Sequence, residues 1–355
     1  MPTFTADQLK NLGFGIFKAA GASDEEAEMV SQHLVNANLA GHDSHGVIRI
    51  TAYVTMIKVG YKPYGYLCKI VPGSQIEIVR ETETTALIDG HWGFGQVIAA
   101  KAMEIAIEKA RKNGIGAVGV LHCNHIGRVG EYSMMAAEQG MIGISMCNSG
   151  RLVAPFGSMD RIMSTNPIAV AIPSGSKRPF LLDMATSVHA EGKVRVRRNR
   201  GESLPDGWLI DKEGTPSNNP EDLYAGGALL PLGRDIGYKG FGLAMIVDLL
   251  GGALTGHGCT SGEEYVGGNG TFMMAIKIDN FVDQEKFRSR VDELIRNVKN
   301  SRKAPDVEEI LIPGEPEINS REERLAEGIF VSDKTWEDIK KTAKELEVDA
   351  EKLIK

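Results

Sequence analysis

Cysteine pairs, long apolar runs and excess positive charge are all missing from this chain. Its 355 residues contain four cysteines, Cys68, Cys123, Cys147 and Cys259, far apart and without a Cys-x-x-Cys pair. That spacing speaks against a disulfide framework or a structural zinc site and fits reduced thiols. No segment reaches the roughly 18 uninterrupted apolar residues of a membrane span. The opening Met1-Pro2-Thr3-Phe4-Thr5-Ala6-Asp7 carries neither a basic n-region nor an apolar h-region. The expectation is a cytoplasmic protein with no membrane partner. The formal net charge of -7 argues against a general nucleic-acid binder. One local run, Arg195, Arg197, Arg198 and Arg200, is basic, and reads as an anion contact, such as a phosphate, or as a solvated face.

What is present is an ordinary apolar content of 42% over a length sufficient for two or three domains. Helical spacing dominates the first sixty or so residues: 6–20 with Gly21 as a stop, 23–40 with Ser23 capping and Glu26 three positions later, then a helix opened by Ser44. After 61–73 the pattern turns strand-like at 76–79 and 85–88, followed by a helix at 93–112 and a strand at 116–121. Helix is expected again at 128–139, 187–198, 240–251 and 284–297. Strands are expected at 142–146, 168–172, 180–182 and 271–276. The interleaving predicts a three-layer α/β core over 74–319. A helical domain over 1–73 is completed by the charged helices of 320–355. Stretches 204–219 and 256–270 read as loops and candidate lids.

Asp43-Ser44-His45-Gly46-Val47-Ile48-Arg49 is the most informative segment. Helical spacing would put His45, Arg49 and Tyr53 on one stripe. Arginine grips a carboxylate with two parallel hydrogen bonds, and histidine exchanges protons near neutrality. The pair suggests a 2-oxo or 2-hydroxy acid; the alternative is a solvated arginine beside a capping histidine.

Gly114-Ile115-Gly116-Ala117-Val118-Gly119 matches the dinucleotide fingerprint in letters, but a helix precedes it and a strand follows, the reverse of what the fingerprint needs. A helix cap at Gly114 is the better reading. The His42/His45 and His122/His125 pairs lack a convincing third ligand, so no metal is expected. His125 falls at the carboxyl end of a strand, where open α/β sheets place ligands. Thr165-Asn166-Pro167 and Asp183-Met184-Ala185-Thr186-Ser187 supply short polar groups at strand ends. Lys239 lies in a glycine-rich helix start suited to an anion.

In this order, Ser44-His45-Gly46-Val47, Asn124-His125, Val153-Ala154-Pro155-Phe156-Gly157, Thr165-Asn166-Pro167-Ile168-Ala169, Leu182-Asp183-Met184-Ala185-Thr186-Ser187, Gly226-Gly227-Ala228-Leu229-Leu230-Pro231-Leu232-Gly233 and Lys239-Gly240 resemble the malate/L-lactate/ureidoglycolate dehydrogenase family, the type 2 malate/lactate or L-sulfolactate dehydrogenase-like group without a Rossmann fold. Asn124 to Tyr132 and Leu311-Ile312-Pro313-Gly314-Glu315 look most like its hydroxycarboxylate dehydrogenase B branch. One departure is Ser158 after Gly157, where members usually carry a second glycine. The resemblance implies reversible hydride transfer between NAD or NADP and a 2-oxo acid, in a homodimer. It implies His45 or His125 as proton carrier, and Arg49, Tyr53 and Asn166 facing substrate. Ser149, Asp183, Met184, Ala185, Lys239, Pro313, Gly314 and Glu315 would contact the dinucleotide. Reduction of cyclic imino acids, or turnover of ureidoglycolate or sulfolactate, is the alternative within the family. A ligand-binding module on the same scaffold is the alternative outside it.

Overall fold

A computed structural model describes residues 2–60, 66, 68–176 and 179–355. The chain opens with β1 (Thr3–Phe4), α1 (Ala6–Ala19), α2 (Asp24–Leu39) and α3 (Ile50–Lys58). It continues through β2 (Glu77–Glu81), β3 (Thr85–Asp89), α4 (Gly95–Asn113), β4 (Ile115–Leu121), α5 (Gly130–Glu138), β5 (Met141–Cys147), β6 (Ile168–Ile172) and β7 (Phe180–Met184). Next come α6 (Glu191–Arg200), β8 (Leu209–Ile210), β9 (Pro216–Ser217), α7 (Glu221–Tyr224), β10 (Ala228–Leu229) and α8 (Tyr238–Asp248). The remainder is β11 (Thr271–Lys277), α9 (Gln284–Lys299), α10 (Glu315–Glu327), β12 (Ile329–Phe330), α11 (Asp333–Glu345) and α12 (Ala350–Leu353).

The central sheet runs β2-β3-β4-β11-β5-β6-β7. Only β3 and β4 pair in parallel; the other neighbours are antiparallel. This mixed order is not that of a doubly wound dinucleotide fold. Gly114 ends α4 with φ 90°, and Gly116 lies so close to the Ala106 carbonyl that a Cβ has no room. The glycines that mimic a fingerprint therefore serve a helix cap and helix–strand packing.

Alternation along β4 sends Val118 and Val120 into a cluster with Ala99, Ala102, Met103 and Ala106 of α4. On the opposite face Gly119 meets Thr255, just after α8 and its π-helical continuation Leu249–Ala253. The result is the expected three layers. Capping boxes open α1 at Thr5 with Gln8 and α2 at Ser23 with Glu26.

The N- and C-terminal helices share one core: Leu12, Ile16 and Phe17 pack with Ile50 and Tyr53, and with Ile339, Ala343 and Ala350. β1 and β12 pair across the same junction, Thr3 opposite Phe330.

Several boundaries differ from expectation. α6 begins at Glu191 rather than 187, because Ser187 bridges Pro231 in extended geometry. α10 begins at Glu315 rather than 320, after a left-handed Gly314 and with Pro316 in its first turn. Within the expected loop 204–219, β8 and β9 join β10 in a small sheet. Loop 256–270 buries His257, Thr260, Tyr265 and Asn269. Of the expected turn at 61–73, residues 61–65 and 67 lie outside the described ones, as does the Arg200 side chain.

Candidate active site

The helix expected from Ser44 is not continuous. Asp43–His45 and Val47–Arg49 form two short 3-10 turns around an extended Gly46, and α3 starts only at Ile50. The cause is Asn38 at the end of α2. Its Oδ1 accepts from Val47 N at 2.8 Å, its Nδ2 donates to Asp43 Oδ1 at 2.6 Å, and a Cβ at Gly46 would collide with it. From α10, Arg324 donates to both Asp43 carboxylate oxygens and to the Asn38 carbonyl. Ser44 caps no helix; its hydroxyl pairs with His45 Nδ1 at 2.9 Å. Arg49 Nε donates to the Ser44 carbonyl at 2.7 Å, leaving its two terminal nitrogens for an anion.

His45 and His125 stack, with ring centroids 5.4 Å apart and planes inclined by 15°. Tyr53 Oη lies 2.6 Å from His125 Nδ1 and accepts from Gln96 Nε2 at 2.8 Å. If the phenol donates to Nδ1, the neutral His125 proton sits on Nε2. Burial pushes the Tyr53 phenol up to about 12, so it remains a donor. His45 is held well below the ordinary histidine range by burial, then by His125 and Arg49. His125 is lowered the same way, by burial and then Arg49. Burial first, with Arg49 adding to it, keeps both rings uncharged at neutral pH.

His45 opens on a cleft of about 870 Å³, whose wall includes Arg128, Asp183, Met184, Ala185, His189 and Trp208. Thr165 and Pro167 line it on either side of Asn166, which is fully buried at φ 34°. Asn166 Nδ2 donates to the Ala244 carbonyl at 2.8 Å, while its Oδ1 has no partner. Tyr53 stands behind His125, 2% exposed, and is not part of the cleft wall. Nor are Arg49, His125, Asn166, Ser149, Lys239, Pro313, Gly314 and Glu315. Ser149 pairs with Ser164, Lys239 is exposed beside the Tyr238 ring, and the Pro313 carbonyl accepts from Leu181 N. Glu315 is held by Lys299 at 2.7 Å. Pro316 and Glu317, just beyond it, do reach the cleft. His42 pairs with Glu317 and His122 with Asp89. Among the described residues no group of three or more His, Cys, Asp or Glu side chains is arranged for a metal ion.

Sequence reading passed over Arg128, Gln96 and His33. Arg128 is 7% exposed; its Nε lies 3.3 Å from Asp183 Oδ2, at an angle too poor for a hydrogen bond, and its Nη1 3.2 Å from Glu131. His33 Nε2 accepts from Arg128 N at 2.9 Å. Neither histidine nor glutamine sits in a recognisable motif; only the fold brings them to the site.

Burial takes His33 down to about 4, and His257 likewise to about 4. Below pH 6.5 the unfolded chain takes up protons that these native rings refuse, so stability falls with pH between about 6.5 and 4. The limit is roughly 3 kcal/mol per histidine. Urea midpoints at pH 7, 5.5 and 4 should decline, and His33→Gln should flatten the decline; a pH-independent midpoint rules this out.

The malate/L-lactate dehydrogenase family model matches residues 4–340. A malate dehydrogenase of Pyrococcus abyssi is 43% identical over 96% of this chain and 94% of its own. Hydroxycarboxylate dehydrogenase B of Escherichia coli K12 is 34% identical over 99% and 96%. Among solved structures, malate dehydrogenase from Pyrococcus horikoshii OT3 superposes with a TM-score of 0.85 at 38% identity, covering 98% of this chain and 96% of that one.

Proposed function

This chain belongs to the malate/L-lactate dehydrogenase family, and on that premise we propose that it interconverts a small 2-oxo acid and its 2-hydroxy acid with NAD or NADP. The observation that carries this reading is His45, stacked on His125 and opening on the cleft walled by Asp183, Met184 and Ala185. A volume of about 870 Å³ stands at the upper end of small-molecule sites. The unpartnered Asn166 Oδ1 and Arg128 Nη2 are buried polar atoms waiting for a ligand. The residues present thus fit a dinucleotide together with a small acid.

When bound, the reduced nicotinamide supplies hydride to the carbonyl carbon. The chain does the rest. Arg49 clamps the carboxylate through its two terminal nitrogens, and the carboxylate's charge makes a proton on the histidine pair tolerable. A histidine Nε2–H gives the proton to the carbonyl oxygen, so carbon gains hydride and oxygen gains the proton. Tyr53 acts through His125, fixing its tautomer, rather than by touching substrate. Asp183, Met184 and Ala185 hold the dinucleotide. Ser149, Lys239, Pro313, Gly314 and Glu315, set back from the cleft wall, reach it only if the ligand extends past that wall or the subunits complete it.

The second possibility has support at α8, whose Met245, Ile246 and, just beyond, Leu249 are exposed apolar residues, continuous with Tyr238 and Ile236. Such a face suits a homodimer contact; a monomer by sedimentation at working concentration removes it. Free, mostly buried cysteines suit the cytoplasm. Among the described residues no helix is long and apolar enough to cross a membrane.

The functional test follows NADH and NADPH absorbance with pyruvate, oxaloacetate, phenylpyruvate, 2-oxoglutarate and a cyclic imine. At least one 2-oxo acid should be reduced; turnover confined to the imine moves the reading to the imino acid reductases.

A further inference from the structure

One corner of the cleft wall is formed by His42, Arg128, Asp183, Pro316, Glu317 and Ser320. Arg128 is its buried cation: the side chain is 7% exposed, and Nε and Nη2 find no hydrogen-bond partner among the described residues. Buried donors left without acceptors are costly unless a ligand satisfies them. Three carboxylates face that one guanidinium. Glu131 accepts from Nη1 at 3.2 Å, and Asp183 Oδ2 stands 3.3 Å from Nε while accepting from Gly130 N at 3.0 Å. Glu317 is held by His42 at 3.3 Å. Burial raises its carboxyl, but His42, its own backbone N–H and Arg128 outweigh that and keep it below the ordinary carboxylate range. Leu181 N donates to the Pro313 carbonyl, tying β7 to the start of α10. The corner is therefore net acidic yet holds unspent donors. A phosphate suits the donors but not the charge. A vicinal diol suits both, because each hydroxyl donates to a carboxylate and accepts from a guanidinium. The other lysine and arginine of the wall, Lys193 and Arg197, stand on α6, where Arg197 is spent on the Ser203 carbonyl at 2.9 Å and on the Trp208 ring. Arg195 and Arg198 are not part of the wall and lie against Glu191 and Glu221.

We propose that Glu317 accepts from the hydroxyls of the adenosine ribose while Arg128 donates to them, and that the surplus of carboxylates turns away a 2'-phosphate, so that the protein takes NAD(H) in preference to NADP(H). This rests on reading the cleft as a dinucleotide site. The nicotinamide half belongs at His45, which leaves α10 for the adenosine half. Dinucleotide sites make this choice with a carboxylate on the 2'-hydroxyl or an arginine on the 2'-phosphate; here the arginine is already neutralised. The nicotinamide ribose presents the same diol but carries no phosphate in either cofactor, so a comparison of the two cofactors separates the sources.

Isothermal titration calorimetry measures NADH, NADPH, ADP-ribose and 2'-phospho-ADP-ribose on wild type, Glu317→Gln, Glu317→Arg and Arg128→Met. The last two ligands bind without turnover. In wild type each plain ligand should bind more tightly than its 2'-phosphorylated counterpart by about tenfold or more, the effect of bringing like charges together. Glu317→Gln should narrow that ratio by about threefold or more, the worth of one partly exposed charge contact. Glu317→Arg should reverse the order. Arg128→Met should weaken both members of each pair alike. Glu317 is 21% exposed in the first turn of α10, so its variants decide the question even if Arg128→Met fails to fold. Wild type that binds NADPH as tightly as NADH overturns the inference, and so does a selective loss of NADPH in Arg128→Met, which would make the guanidinium a phosphate contact. A ratio that both Glu317 variants leave in place also overturns it, whether or not affinity falls, because the carboxylate then serves the nicotinamide ribose or the fold. These results leave 2-oxo acid reduction standing; wild type that binds neither dinucleotide and reduces no 2-oxo acid removes the parent reading as well.

Discussion

His45→Ala and His125→Ala should each lower kcat by about 10²–10⁴-fold at saturating substrate, the range that a positioned general acid contributes. The losses should not multiply. The two rings stack 5.4 Å apart and share the influence of Arg49, so removing one changes the charge, the packing and the tautomer of the other. Groups that act as a unit show strong non-additivity, and the double variant should resemble the poorer single one. Tyr53→Phe separates orientation from proton delivery. It deletes the hydroxyl that pairs with His125 Nδ1 while leaving the ring in the core. The expected result is a smaller fall in kcat, little change in substrate KM and a displaced pH profile, because His125 is free to place its proton on either nitrogen. Near-full turnover in both alanine variants would end the histidine mechanism.

Arg49→Lys should raise the apparent KM for the 2-oxo acid by about 30-fold or more, equivalent to the 2 kcal/mol at the low end for a buried hydrogen-bonded charge contact. One feature of the site makes this substitution severe. Arg49 spends Nε on the Ser44 carbonyl, which orients the remaining two nitrogens as a fork; an ammonium on a flexible alkyl stem satisfies either the carbonyl or the carboxylate, not both. The lysine keeps the positive charge that, after burial, helps hold His45 and His125 uncharged in the free protein, so the loss should fall on KM. A rise in KM with little change in the pH profile is the expected result. An unchanged KM takes Arg49 out of the clamp.

Much of the layering could be read from periodicity, because α4, β4, β5, β6 and β11 carry uninterrupted helical or apolar patterns whose burial is decided locally. The order in which those strands meet could not. β11 comes late in the chain yet sits between β4 and β5, a pairing of distant segments that no local pattern announces. The short strands β8, β9 and β10 were invisible for a related reason: two residues each, they exist through tertiary contact rather than propensity. At the site, His45, Arg49 and Tyr53 were legible as a group, but by the wrong geometry. A single helical stripe was expected. Instead Asn38 breaks the helix at Gly46 and holds the turn from another element. Gln96, Arg128 and His33 gave no signal, since each matters through a partner distant in sequence: Tyr53 for Gln96, Asp183 for Arg128, Arg128 for His33. Conversely, the glycines at 114–119 gave a strong signal for the wrong chemistry, and the neighbouring helix and strand, already legible, were enough to discount it.

A crystal structure of the protein soaked with dinucleotide and oxamate, a stable mimic of a 2-oxo acid, probes the shared site directly. The oxamate carboxylate should lie against the two terminal nitrogens of Arg49, with its neighbouring carbonyl oxygen within hydrogen-bond reach of a histidine Nε2 and the nicotinamide ring in the cleft beside Asp183 and Met184. Oxamate bound at a distance from both Arg49 and the histidine pair would contradict the assignment.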